Sequence, residues 1–196
     1  MPVHVNEIDS KEKNGAISYI SIIIKSFVCL FLISTILLGA FRSISMLSFS
    51  EGIKNGVIFG FFLSIIIVPI MTLFDILQRI FFIYKFKKTS FEVYQKREFL
   101  VTHSYNILFD ELIEILKKNK FFIDSIDKKY GMIAASSGRS WKSFGEKLSI
   151  GLHRESGENL ALKLSSKPIL STTLLDYGKN FHNIQSIIRD LEEFLQ

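Results

Sequence analysis

Gly56–Phe74 reads GVIFGFFLSIIIVPIMTLF, without a single charged side chain. A helix needs ~20 apolar residues to cross the hydrocarbon layer of a bilayer, so this stretch has the length and composition of a membrane span. A second stretch, Ile17–Phe41, reads ISYISIIIKSFVCLFLISTILLGAF and is interrupted only by Lys25. Nothing comparable follows. From Lys85 onward the chain has ordinary soluble composition, and eighteen cations against fourteen carboxylates hold +4 of the net +5. The chain therefore predicts a membrane hairpin of two transmembrane helices followed by a water-facing domain. The expected division is a flexible N-terminal segment over 1–15, the hairpin with an interfacial extension over 16–88, and a cytosolic α+β domain over 89–196.

The linker Arg42–Glu51 is short, so both ends of the hairpin are expected on one side of the membrane. Lys11 and Lys13 precede the first helix, and Lys85, Lys87 and Lys88 follow the second, with Lys96 and Arg97 close behind. The linker region offers only Arg42 and Lys54. Basic residues stay on the cytoplasmic side, which predicts an integral protein of the inner or plasma membrane with both termini cytoplasmic. A cleaved signal peptide is not expected, because the first run starts late, is long, and ends in Gly39-Ala40-Phe41 without a small-x-small site.

Gly52, Gly56, Gly60 and Ser64 recur every fourth residue and form one small-residue face of the second helix. Such faces let helix backbones approach closely in lipid. Two uses follow: packing against the first helix of the same chain, or self-association. The expectation for these four residues is an oligomer seam. Lys25 is expected to snorkel to the headgroups. Asp75 and Arg79 stand four apart and can pair on one helix face. With Phe81, Phe82, Tyr84, Lys85, Lys87 and Lys88 they make up the expected interfacial anchor, since aromatic residues beside lysines mark the headgroup zone.

Beyond Thr89 the periodicity changes. Arg97–His103 reads as a strand and Ser104 stands at a helix N-cap position. Tyr105, Leu108, Leu112, Ile115 and Leu116 follow at helical spacing. Phe121–Asp127, Met132–Ser136, Glu146–Arg154 and a strand through Leu160, Leu162 and Leu164 are separated by turn-forming residues. Tyr177, Phe181, Ile184, Ile188, Leu191 and Leu195 give a final amphipathic helix; in the stretch Asp176-Tyr177-Gly178 the glycine, costly near a helix start, is expected to let that helix lie tightly on the sheet. The predicted domain is a β-α-β-β-β-β-α two-layer sandwich with an antiparallel sheet. This order resembles helix-grip folds, in which a long C-terminal helix lies across a curved antiparallel sheet; the likeness is one of architecture and implies no activity.

The loop Ser136–Gly145 collects hydroxyls, two cations and the only tryptophan. Arg139, Trp141 and Lys142 are expected to contact lipid headgroups or a partner, as is Lys179; an anion site in the loop is the sharper alternative. The single Cys29 lies in an apolar run and has no thiol partner. The histidines are scattered and no metal-ligand spacing or catalytic motif occurs, so neither metal, cofactor nor enzymatic activity is expected. The basic excess is too thin for nucleic acid and suits an anionic membrane face. The function expected from these features is a small membrane protein that self-associates through its hairpin and displays an interaction or sensing domain. Alternatives are a pore-forming oligomer subunit, a subunit of a larger membrane complex, and a membrane-anchored binder of lipid or another apolar ligand.

Overall fold

A computed structural model of the chain describes residues 6–7, 15–46, 48–86, 90–140, 143–155 and 159–196. Its elements in chain order are β1 (Asn6–Glu7), α1 (Gly15–Met46), α2 (Phe49–Phe86), β2 (Gln95–Thr102), α3 (Tyr105–Lys118), β3 (Phe122–Asp127), β4 (Met132–Ser136), β5 (Glu146–Arg154), β6 (Asn159–Pro168) and α4 (Lys179–Leu195). Both α1 and α2 are long and apolar enough to cross a membrane. They run antiparallel, with Gly52 beside Ser43, Gly56 beside Gly39 and Gly60 beside Thr35.

Small residues let the two helices lie almost backbone to backbone. A Cβ on Gly56 would come within 2.6 Å of the Thr35 carbonyl and 2.7 Å of Gly39 Cα. One on Gly52 would meet the Ser43 backbone at 2.6 Å, and one on Gly60 would meet Thr35 Oγ1 at 2.6 Å. Ser64 is buried in the same line and returns its hydroxyl to the Gly60 carbonyl at 2.8 Å. The face expected as an oligomer seam thus lies against α1 of the same chain, and a second copy has no access to it. The reason is geometric: in a two-helix hairpin the nearest surface for a small-residue stripe is the antiparallel neighbour.

The domain follows the predicted element order and adds one strand. Its antiparallel sheet has the order β1-β2-β6-β5-β4-β3. The two-residue β1 pairs Asn6 with Leu100 and Glu7 with Phe99, so part of the segment expected to be flexible is joined to the sheet edge. Alternation sends Phe99, Val101, Ile133, Ala135, Leu148, Ile150, Leu152, Leu160, Leu162 and Leu164 to one face, where α3 and α4 cover them. The cross-strand pairs Phe99–Leu162, Ile150–Leu164 and Ile133–Ile150 hold that face in register. The opposite face carries polar pairs such as Glu98–Lys163 at 3.0 Å. Ser104 occupies the N-cap position of α3, but its side chain makes no capping hydrogen bond.

Beyond the sheet, α4 has a second partner. Phe82 and Phe86 at the end of α2 pack on Phe181 and His182, with ring centroids between 5.5 and 6.2 Å apart. α2 therefore continues as a single rod from the apolar hairpin into the domain.

Candidate functional site

The junction between hairpin and domain brings together three buried charges, Asp75, Arg79 and Asp176. Asp75 is fully buried and Arg79 is 2% exposed. One helical turn separates them, so the guanidinium reaches back along α2 and takes the carboxylate as a fork. Nε donates to Oδ2 at 2.7 Å and Nη2 to Oδ1 at 3.2 Å. Tyr19 of α1 donates its hydroxyl to the same Asp75 Oδ2 at 2.7 Å. Arg79 Nη1 donates to the Ser90 carbonyl in the connector after α2. The guanidinium also lies over the rings of Phe91 and Tyr19, at 4.8 and 5.5 Å from their centroids. A planar delocalised cation suits this combination of fork and stack, and a lysine does not.

On its other side Arg79 faces Asp176, with Nη2 3.9 Å from Oδ1. Asp176 in turn organises the start of α4. It accepts the Gly178 amide at 3.0 Å, the Asn180 amide at 3.0 Å and the Asn180 side-chain amide at 2.9 Å. Asn180 then accepts the Ser166 hydroxyl of β6 at 2.6 Å. A buried polar line thus runs from α1 through α2 and the α4 cap into the sheet. Burial pushes the Asp176 carboxyl above its usual range, opposed by the hydrogen bonds from Asn180, the Arg79 charge and the Gly178 amide. Burial, and after it the Asp75 charge, also raises the neighbouring Tyr177 phenol.

The backbone at this cap is tightly constrained. Tyr177 and Gly178 are both left-handed, with φ of 50° and 68°. A Cβ at Gly178 would meet Phe82 Cε2 at 2.6 Å. The glycine therefore admits the α2 ring against the start of α4. The sequence pointed instead to close packing on the sheet.

Several expected anchor residues take other places. Asp75 and Arg79 are buried inside the protein, with partners on α1, the connector and the α4 cap. Phe82 is buried under α4, while its neighbours Phe81 and Tyr84 are exposed. Lys85 lies over the Phe86 ring at 5.1 Å and 3.5 Å from His182 Nε2. Lys25 is exposed on α1, and Arg139 is exposed on its loop. Lys179 is half-buried at the α4 start, its amide bonded to the Asp176 carbonyl at 2.9 Å. Lys87, Lys88, Trp141 and Lys142 lie outside the described residues.

The loop before β5 is filled from within. Ser137 and Ser143 both donate to the buried Glu146 carboxylate. The Glu146 amide donates to Ser137 Oγ at 2.9 Å, and Ser140 and Ser143 bridge each other. A resident carboxylate thus takes the hydroxyls that the anion reading assigned to a ligand. Among the described residues no three His, Cys, Asp or Glu side chains come together as a metal site.

Sequence reasoning found the Asp75–Arg79 pair but missed Tyr19, Ser90, Phe91, Asp176 and Asn180. Only the odd Asp176-Tyr177-Gly178 stretch signalled anything, because the partners are up to a hundred positions apart. The chain matches no protein-family description, and no curated protein is significantly similar to it.

Proposed function

We propose that the chain is a membrane-anchored α+β binding module, with α1 and α2 as a transmembrane hairpin and the domain held firmly at the cytoplasmic face. One observation carries the reading. In the most apolar windows of α1 and α2 only 6% and 17% of residues are buried. A core helix of a water-soluble protein would hide those side chains, whereas Ile36, Leu37, Phe62 and Ile66 are all more than half exposed. A contiguous apolar surface of this size needs lipid or a partner of equal apolarity. The backbone-to-backbone seam with α2 supports α1 as a lasting part of the fold rather than a removable leader. The lysines around the α2 exit support a cytoplasmic domain.

The buried line from Tyr19 to Ser166 supports a firm attachment rather than a tether. Because the small-residue seam serves the hairpin itself, the minimal unit of this module is one chain. Its outward faces are left for lipid or other membrane proteins, and its polar sheet face for a soluble partner. Alkaline carbonate extraction tests the anchor: the chain stays in the pellet. Protease protection of a tag after Gln196 tests the side: the tag is cleaved only in inverted vesicles. A chain found in the supernatant, or a tag cut from outside, would overturn the proposal.

A further inference from the structure

A cavity of about 490 Å³ lies between the hairpin and the membrane-facing edge of the domain, outside the sheet–helix core. One wall comes from α1 and α2, including Cys29, Leu30 and Met71. The other comes from the loop before β5 and the segment after β6, including Phe144, Leu170 and Thr172. Its volume falls in the range of about 300–1,000 Å³ typical of small-molecule sites.

Depth along the hairpin identifies the occupant. At a rise of 1.5 Å per residue, the ~40 Å from Tyr19 to Met46 exceeds the ~30 Å hydrocarbon layer by roughly 10 Å. With the Met46 end of α1 set at the far edge of the layer, the near edge lies about 10 Å below the Tyr19–Asp75 pair. Met71 lies four residues from Asp75 and Ile33 fourteen from Tyr19, so the cavity runs from roughly 4 Å above the edge of the layer to roughly 10 Å into the acyl region on the domain side. Phe144 and Leu170, both exposed, stand at its rim. Among the described residues none that lines it is charged; its hydroxyls come from Ser26, Ser140, Ser143, Thr172, Thr173 and Tyr177. Tyr177, with its left-handed backbone, also lines the cavity, so the occupant sits against the cap that Asp176 holds to Arg79.

We propose that this cavity binds one bilayer phospholipid from the leaflet beneath the domain, an acyl chain against α1 and α2 and the glycerol esters at the loop hydroxyls. With no charge among the described lining residues, selection is by chain and ester, not by headgroup charge. The inference rests on the membrane reading above.

Cys29 is the only cysteine of the chain and lines the cavity, so its alkylation by N-ethylmaleimide reports occupancy. The full chain, delipidated in detergent, is titrated with dioleoyl phosphatidylcholine or dioleoyl phosphatidylglycerol. At a lipid concentration ten times the dissociation constant, mass action leaves about a tenth of the sites open. Alkylation of Cys29 is then expected to slow about tenfold with either lipid. A reporter outside the cavity, Ile36→Cys combined with Cys29→Ser, should keep its rate. Equal slowing at both positions means a non-selective lipid coat and overturns the site. So does protection by glycerol phosphate alone, by phosphatidylglycerol only, or by neither lipid. A chain that carbonate extracts from membranes sinks the membrane reading itself; an anchored chain without selective protection sinks this site alone.

Discussion

Arg79 lies between two carboxylates in a place water does not reach. Removing it leaves Asp75 and Asp176 buried without their cation. Breaking a buried pair from one side costs about 3–5 kcal/mol. Arg79→Ala should therefore lower the thermal midpoint of the detergent-solubilised chain sharply. Arg79→Lys should recover only part of the loss, because an ammonium cannot fork onto Asp75 and reach the Ser90 carbonyl together. Equal midpoints for wild type and Arg79→Ala would show that the cluster contributes nothing. Gly178 carries a second residue-scale test. A side chain in the left-handed region costs roughly 1–2 kcal/mol, and here the new Cβ also collides with Phe82. Gly178→Ala should destabilise the chain, and adding Phe82→Leu should return the steric part but not the backbone part. The Asp75–Arg79 spacing was legible from sequence because both residues lie on one helix. Their enclosure was not, since it depends on Tyr19 and Asp176 arriving from distant parts of the chain.

At the scale of elements, the α1–α2 seam and the α3–α4 contact make separate predictions. Gly56→Leu would drive a side chain into the backbone of Thr35 and Gly39, which cannot move aside as a flexible side chain would. The hairpin should open, and spin labels at Leu37 and Phe59 should report a longer distance; an unchanged distance would contradict the seam. Between α3 and α4, Asp190 accepts Asn119 Nδ2 at 2.7 Å and stands 3.4 Å from Lys118. Burial pushes its carboxyl up, yet the Asn119 and Arg189 hydrogen bonds and the charges of Arg189 and Lys118 together hold it below the usual value. A depressed carboxyl stabilises the fold above the unfolded pKa of about 3.9 and loses that contribution as pH falls through the folded value. Acid should therefore weaken the wild type more than Asp190→Asn below about pH 4, in urea melts of the full chain at stepped pH. Equal acid sensitivity would remove Asp190 from the account. Helix and strand identities were readable from period and turn residues. The small-residue face was equally readable, but its partner was not, because a stripe that fits close backbones fits a neighbour within the chain as well as one outside it.

For the whole molecule, the length of α2 is decisive. Its 38 residues make a rod of about 57 Å, nearly twice the hydrocarbon thickness. The surplus enters the domain, where Phe82 and Phe86 meet α4. Hairpin and domain should thus unfold together in calorimetry, while a chain with Phe82→Ala and Phe86→Ala should show two transitions. A single transition in that variant would mean that the aromatic contact does not couple them. The β1-β2-β6-β5-β4-β3 order within the sheet was not determined by the sequence alone; two apolar helices and an antiparallel α+β domain, with the succession of helices and strands from β2 to α4, were. Each depends on local composition, spacing and turn residues, which a linear reading contains. Tertiary structure alone decided that the glycine face belongs to α1, that Arg79 is held between Asp75 and Asp176, and that a cavity opens beside Cys29. These features arise where segments far apart in sequence meet, and no periodicity within one segment encodes which remote surface will cover it.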